Sequence, residues 1–378
     1  MKLTIERGAL LKALGHVQSV VERRNTIPIL SNVLLSAGQG SVAFSATDLD
    51  MEIADESPAR VEGSGQITAP AHTLYEIVRK LPEGAEVSLT YAGDDPRLQV
   101  QAGRSRFNLP ALPAGDFPVM PSEGLSSRIA IDTGDMIRLI DKTRFAISTE
   151  ETRYYLNGLY LHVVVEDGAS RLRAVATDGR RLALAEMPAP DGFAGLPGVI
   201  IPRKTINEAR RLLDDAGETI EAQVSAQKVK FFFGHAAMTS KVIDGAFPPY
   251  ERVIPRENRR TLTLDNALFA AAVDRVATIS TEQSRAVKLA VESGRMTLTV
   301  RNMDAGQAME ELEVDYEGEP FEIGFNARYI LDVTGQIAGE TAEFRFAEHS
   351  GGAAVLDPTL VLDPTDPGVQ YVLMPLRA

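Results

Sequence analysis

Arg203 and Lys204 stand directly after Pro202, in what the apolar spacing from Ile206 to Leu213 predicts as the first turn of a helix. The helix macrodipole disfavours cations there. An anion seated between the two side chains and the helix amino terminus would relieve the conflict. The bland alternative is a pair of solvated side chains, since exposed dipole effects amount to only about 0.3 to 1 kcal/mol. Other chemistry is thinly supplied. Asp48 and Asp50 could pair on a metal, but no third ligand suggests itself, so neither metal nor cofactor is expected. His16, His72, His162, His235 and His349 lack ligand spacing, and neither a G-x4-G-K-[ST] loop nor an H-E-x-x-H motif occurs. Cysteine is absent, which removes thiolate nucleophiles, zinc-thiolate sites and disulfides. No placed nucleophile and base is visible, so no catalytic residue is expected.

The helix carrying Arg203 is one of a repeating set. Lys2-Leu3-Thr4-Ile5 followed by Leu10, Leu11 and Leu14 matches Arg128-Ile129-Ala130-Ile131 followed by Met136, Ile137 and Ile140, at identical spacing. Thr261-Leu262-Thr263-Leu264 with Phe269, Ala270 and Val273 is a third copy. Each reads as an alternating strand running into an amphipathic helix. Later landmarks keep the same order: Ala69-Pro70-Ala71, Ile201-Pro202-Arg203 and Phe325-Asn326-Ala327 each precede a second helix. Ala46-Thr47-Asp48-Leu49 answers Ala176-Thr177-Asp178-Gly179, and Asp116-Phe117-Pro118 answers Ala246-Phe247-Pro248. The repeat predicts three similar domains, 1–126, 127–255 and 256–378, in an α+β fold with antiparallel sheet.

With 44% hydrophobic residues there is ample core material, and no apolar run approaches the roughly 18 residues of a membrane span. Acidic Glu6 and the lack of a long apolar stretch argue against a signal peptide, so a cytoplasmic protein without membrane contact is expected. The net charge of −13 by itself argues against a nucleic-acid binder. Location alters that inference. Arg23, Arg24, Arg79, Lys80, Arg138, Lys142, Arg203, Lys204, Arg210 and Arg211 fall in or beside the predicted helices, whereas acids gather in strands and turns, above all Glu310, Glu311, Glu313, Asp315, Glu317 and Glu319. Ordinary solvated faces are the bland reading; the sharper one is a basic helical surface on an acidic molecule. If such helices line a closed ring at about 10 Å spacing, six give a circle of ~19 Å at their axes, too tight for a duplex once a helix diameter of ~10 Å is removed. Twelve give ~38 Å and an opening of ~28 Å, so a ring needs two chains.

Arg24-Asn25-Thr26-Ile27-Pro28-Ile29-Leu30, Arg153-Tyr154-Tyr155-Leu156-Asn157-Gly158, Ala176-Thr177-Asp178-Gly179 and Tyr371-Val372-Leu373-Met374-Pro375-Leu376-Arg377 together give the chain, along its whole length, the look of the bacterial DNA sliding clamps. The resemblance implies the DNA clamp fold, three similar domains each with two helices inside and antiparallel sheets outside, in a ring-shaped homodimer. It implies a processivity factor that encircles duplex DNA without sequence preference, slides on it, tethers the replicative DNA polymerase and other clamp-motif proteins, is opened by a clamp loader, and catalyses nothing. Carried over by position, it implicates Arg24, Tyr154, Tyr155, Arg203, Lys204 and Arg252 in DNA contact. A partner-peptide pocket would use Leu156, Thr177, Gly179, Arg180, Arg181, Leu182, Pro248, Val253, Asn326, Tyr329, Phe344, Val372, Leu373, Met374, Pro375 and Leu376. The dimer contact would use Arg104, Arg106, Phe107, Thr278 and Ile279, with Ser280 and Gln283 nearby, the two arginines facing acids such as Glu310 and Glu311.

Three departures from the family pattern bear on the peptide: Arg180 where histidine is common, Phe344 where a smaller or more flexible residue is common, and Ala378 at the end. They imply an altered peptide preference. A function of a different class, an acidic protein-binding scaffold that never encircles DNA, is distinguished by the absence of ring-dependent retention on circular DNA.

Overall fold

The computed structural model describes residues 1–93, 96–121, 123–280, 285–348 and 357–376. Gln283, His349, Arg377 and Ala378 lie outside the described residues. Six α-helices form among those described: α1 Arg7–Gln18, α2 Ala71–Lys80, α3 Thr133–Asp141, α4 Arg203–Leu213, α5 Asn266–Ala277 and α6 Ala327–Thr334. All six fall where the repeat places them. The passage from strand to first helix has one chemical cause in each copy. Glu6 accepts from Ala9 N at 2.9 Å, Asp132 from Asp135 N at 2.9 Å and Asp265 from Leu268 N at 2.8 Å. Each acid satisfies an amide that a helix start leaves without an intrahelical partner. α2 and α4 begin instead after Pro70 and Pro202, and α6 after Asn326, whose side chain accepts from Arg328 N at 2.9 Å.

The chain divides into two compact units, Met1–Ile137 with Pro190–Val242, and Arg138–Ala189 with Ile243–Ala378. In the first unit, one antiparallel sheet runs Arg60–Gly63, Lys2–Glu6, Glu86–Thr90, Arg97–Ala102 and Ser105–Pro110, leaving the last at an edge. A second sheet runs Ile129–Asp132, Thr219–Val224, Lys228–Phe233, Ala236–Lys241, Met51–Pro58, Ser41–Thr47, Asn32–Gly38 and Gly65–Pro70. Its middle joint pairs Met51–Pro58 with Ala236–Lys241, from Ala236↔Asp55 to Ser240↔Met51. Strands of the first and second sequence repeats therefore share one continuous hydrogen-bonded ladder. Leu10, Leu14 and Val17 of α1 and Leu74 and Val78 of α2 are fully buried, each leucine stabilising by about 1.5 to 3 kcal/mol relative to exposure.

The second unit repeats the device. Gly158–Glu166, Ala169–Thr177, Arg181–Pro188, Val369–Leu373, Thr359–Leu362, Thr341–Phe346 and Arg260–Asp265 lie side by side, and Arg181–Pro188 meets Val369–Leu373 in the register Arg181↔Leu373 to Ala185↔Val369. A four-stranded sheet runs Gly306–Glu313, Arg295–Asn302, Ala286–Glu292 and Phe321–Asn326, with Gly306–Glu313 at an edge. Compactness thus cuts across the sequence repeat, because strand pairing continues through the expected domain borders. Among the described residues no helix is long and apolar enough to cross a membrane.

Candidate functional site

In the second unit the Thr177–Arg181 turn is fastened by its own side chains. Thr177 Oγ1 donates to Arg181 O at 2.6 Å and accepts from Gly179 N at 3.0 Å, while Asp178 Oδ1 accepts from Arg180 N at 2.9 Å and Arg181 N at 3.0 Å. The turn delivers Arg181, only 8% exposed, into a dense set of partners. Its Nε donates to Asp178 Oδ2 at 3.2 Å, Nη1 to Asp332 Oδ2, and Nη2 to Phe145 O at 2.7 Å. The guanidinium lies over the Tyr329 ring at 4.5 Å and the Phe145 ring at 5.2 Å. Burial of a charge on this scale is tolerable because counter-charge and hydrogen bonds surround it.

Beside Arg181 opens a cavity of about 250 Å³ lined by Arg153, Tyr155, Leu156, Thr177, Gly179, Arg181, Leu182, Pro248, Tyr250, Val253, Val372 and Met374. Nine of these, all but Arg153, Tyr155 and Tyr250, are residues the family pattern placed in a peptide pocket. The lining is apolar apart from Thr177 and two arginines, and holds no acid. It suits a short apolar segment carrying an acceptor or a negative group.

Other expected pocket residues sit elsewhere. Phe344 is 1% exposed and packs edge to face on Phe269 at 5.6 Å, with Phe346 beyond, so it is a core ring outside the cavity lining. Leu373 is equally buried and does not line the cavity. Asn326 caps α6, Tyr329 touches the cavity only through Arg181, and Leu376 N donates to Gly324 O at 2.7 Å. Arg180 and Pro375 do not line the cavity, although Arg180 O accepts from Met374 N at 2.9 Å.

Tyr250 forms the wall that sequence reading missed. Its hydroxyl lies 3.1 Å from His162 Nε2, and the His162 ring stacks on Tyr160 at 4.2 Å, which stacks on Phe247 at 4.8 Å. Burial, aided by the Arg173 charge, lowers the His162 pKa to about 4, leaving the ring neutral at physiological pH. Burial pushes the Tyr250 phenol up to about 12. Alternation of Tyr160 and His162 along one face of their strand was the available signal.

The residues expected at DNA fall in different units. In the first, Arg24 and Arg203 are exposed, and neither side chain has a hydrogen-bond or ion-pair partner among the described residues. Lys204 is different. Its Nζ lies 2.5 Å from Asp48 Oδ2, 3.5 Å from Glu22 Oε1 and 3.2 Å from Val20 O. Internal carboxylates thus engage Lys204, while Arg203 beside it stays exposed. Asp48 and Asp50 are correspondingly engaged by lysines, Asp50 Oδ1 lying 2.9 Å from Lys241 Nζ. In the second unit Tyr154 is 56% exposed, Tyr155 is half-buried against it at 5.7 Å, and Arg252 is exposed. Many other helix cations are tied within the chain, for example Arg138 to Asp366 at 2.5 Å and Arg211 to His16 O at 2.7 Å.

Arg104 and Arg106 project exposed from the Ser105–Pro110 edge region, with Phe107 half-buried. In the second unit Thr278 is exposed, Ile279 is half-buried, and Ile279 O accepts from Asn302 Nδ2 at 2.8 Å. Glu310 and Glu311, expected to answer the arginines, already have partners, Arg275 for Glu310 and Arg295 at 3.5 Å for Glu311. Among the described residues no group of three or more His, Asp or Glu could hold a metal ion.

Three family models, described as the N-terminal, central and C-terminal domains of the DNA polymerase III beta subunit, match residues 1–121, 130–249 and 251–377. A beta sliding clamp of Caulobacter vibrioides is 76% identical over 377 residues, covering 100% of both chains, and one of Pseudomonas putida is 38% identical over 381 residues at the same coverage. Among solved structures, a Caulobacter crescentus beta sliding clamp superposes with a TM-score of 0.97 at 76% identity, covering 100% of this chain and 99% of that one. A griselimycin-bound sliding clamp of Bartonella birtlesii gives 0.95 at 45% identity with both chains covered in full, 100% each. The chain belongs to the DNA polymerase III beta subunit family, the bacterial sliding clamps, which are non-catalytic processivity factors. It is a processivity factor of DNA replication.

Proposed function

We propose that two copies of this chain close a ring around duplex DNA and hold the replicative polymerase through the cavity beside Arg181. The observation that carries the proposal is that cavity: apolar walls, two arginines and no acid, fastened to the Thr177–Arg181 turn. Short apolar segments of the polymerase, the clamp loader and other clamp-motif proteins would compete for it. Arg24, Arg203 and Arg252, with Tyr154, would touch phosphates and sugars, giving a salt-dependent, sequence-independent attraction. Closure would make tight DNA binding unnecessary. The ring closes through the Ser105–Pro110 edge of one protomer and the Thr278–Ile279 region of its partner, in domains bounded at 1–126, 127–255 and 256–378. No catalytic step is assigned to the chain, and its place of work is the cytoplasm, where the chromosome is copied.

Retention on circular and on linearised duplex DNA after loading, at moderate salt, tests this. Persistence on the circle with loss on linearisation is expected. Equal, salt-sensitive loss from both, with a known clamp retained as control, would favour the scaffold that never encircles DNA.

A further inference from the structure

We propose that Asp332 is a positioning residue for the cavity: from α6 it fixes the Arg181 guanidinium that forms one wall, so the binding competence of the Thr177–Arg181 turn depends on a helix of the third repeat. The proposal rests on the peptide-pocket reading of that cavity.

Arg181 has five N–H donors. One each from Nε, Nη1 and Nη2 goes to Asp178, Asp332 and Phe145 O, leaving one N–H on each Nη. That remaining pair can meet an acceptor in the cavity only if the guanidinium plane is held in one orientation. Asp178 cannot hold it alone. Its Oδ1 is occupied by the turn amides of Arg180 and Arg181, and its Oδ2 reaches only Nε, the hinge of the fork. Asp332 takes one N–H of Nη1 and Phe145 O one of Nη2, so Asp332 is the charged partner that acts on the fork itself. Tyr329, three residues earlier on the same helical face, supplies the aromatic surface at 4.5 Å.

Within α6 Asp332 has one loose i,i+4 ion pair and no capping role. The helix is capped by Asn326, and among the described residues the other cation paired with the carboxylate is Arg328, with Nε 3.8 Å away on an exposed side chain. Asp332 is also absent from the cavity lining. A carboxylate that lies outside the cavity lining and caps no helix, yet bonds one wall residue, acts through that residue.

The test is a double-mutant cycle read by binding of griselimycin, the ligand held by the Bartonella birtlesii relative. Wild-type binding, abolished by Val253→Asp in the exposed rim, establishes that the probe reports on this cavity. If wild type fails to bind, or Val253→Asp binds normally, the pocket reading itself fails. Given a reporting probe, Asp332→Asn is expected to weaken binding by about tenfold or more, and the same substitution made on Arg181→Met to add nothing further. Unchanged affinity in Asp332→Asn overturns the proposal, as does a penalty that persists undiminished on Arg181→Met. Should Asp332→Asn lower the melting temperature enough to obscure binding, Asp332→Glu keeps the charge on a longer arm. An affinity between wild type and Arg181→Met is then expected, and one equal to wild type overturns the proposal.

Discussion

Gly179 and Leu49 occupy the same position in two copies of one turn, at φ +83° and +77°. In the first copy Thr47 Oγ1 donates to Met51 O at 2.8 Å and Asp48 Oδ1 accepts from Met51 N at 2.7 Å, bond for bond as Thr177 and Asp178 do in the second. Leu49 therefore shows that this turn tolerates a side chain despite the left-handed backbone, whose cost is about 1 to 2 kcal/mol. Glycine at 179 answers a different demand. A Cβ there would lie 2.6 Å from Arg153 Nη1, which crosses the turn toward Asp178 O at 3.4 Å.

Exchanging the two residues separates the effects. Leu49→Gly should change stability by no more than about 1 kcal/mol, since relief of backbone strain is offset by the added freedom of the unfolded chain and some lost burial. Gly179→Leu should displace Arg153 and narrow the cavity, with ligand affinity falling more steeply than the melting temperature. Melting curves and ligand titrations on both variants check this, and retained affinity in Gly179→Leu would remove Arg153 from the account.

A second expectation concerns pH. The buried His16 ring presents Nδ1 to Asp55 Oδ2 at 2.6 Å and Nε2 to Asp215 Oδ2 at 2.9 Å. Only the imidazolium donates from both nitrogens. Burial opposes the charge, but the two carboxylates prevail and raise the His16 pKa above its ordinary 6.5. Lys12 lies 3.7 Å from Asp215, Glu56 and His235 share the adjoining cavity, and Arg211 donates to His16 O. A raised folded-state value means the stabilisation is complete below the unfolded pKa and lost as pH rises through the folded one. Asp215, held below the ordinary carboxylate range chiefly by the His16 hydrogen bond, contributes above its unfolded value and fails as pH falls through its folded one. Denaturant midpoints should decline from neutral into mildly alkaline buffer, and His16→Gln should flatten that decline. An identical slope in the variant would assign the loss to other groups.

What the sequence made legible, and what it hid, divides along the range of the interactions. Alternation in Leu3 and Ile5 followed by Leu10 and Leu14 is a local pattern, so the strands and six helices could be placed, whereas the capping roles of Glu6, Asp132 and Asp265 emerged only with the structure. The ladder between Met51–Pro58 and Ala236–Lys241 has no local signature, because either strand could end its own sheet. Nine lining residues of the cavity were named through the family pattern. Phe344 lies outside the cavity lining because position in a motif does not say which face of a strand looks inward. The ion pairs of Lys204 were hidden for a similar reason: its partners Asp48 and Glu22 are distant in sequence.

That last pairing separates DNA contacts that look equivalent in sequence. Arg24→Ala and Arg203→Ala should each reduce the salt slope of DNA binding by about one unit, as expected for the loss of one phosphate contact. Lys204→Ala should leave the slope near wild type and lower stability by about 1 kcal/mol through the unpaired Asp48 carboxylate. Titrations of a short linear duplex at several salt concentrations provide the comparison. A slope reduced equally by all three substitutions would mean that Lys204 leaves Asp48 for phosphate when DNA is present.

Closure of the ring can be tested without DNA. Phe107 is half-buried on a strand with one side unpaired, and such an edge readily accepts another strand. Ile279 is half-buried after α5, its carbonyl held by Asn302. Neither lies in the fully buried core, so truncation should spare the protomer while removing apolar contact from the joint. Phe107→Ala with Ile279→Ala should weaken dimerisation by roughly 30- to 1000-fold, taking about 1 to 2 kcal/mol for each truncated contact residue. Because Glu310 and Glu311 already pair with Arg275 and Arg295, the charges of Arg104 and Arg106 can add little unless those pairs exchange partners. The apolar truncations should accordingly outweigh Arg104→Ala with Arg106→Ala. Sedimentation at micromolar concentration decides both points: an unchanged dimer in the apolar double variant would move the interface elsewhere, and a larger effect from the arginines would make the joint electrostatic.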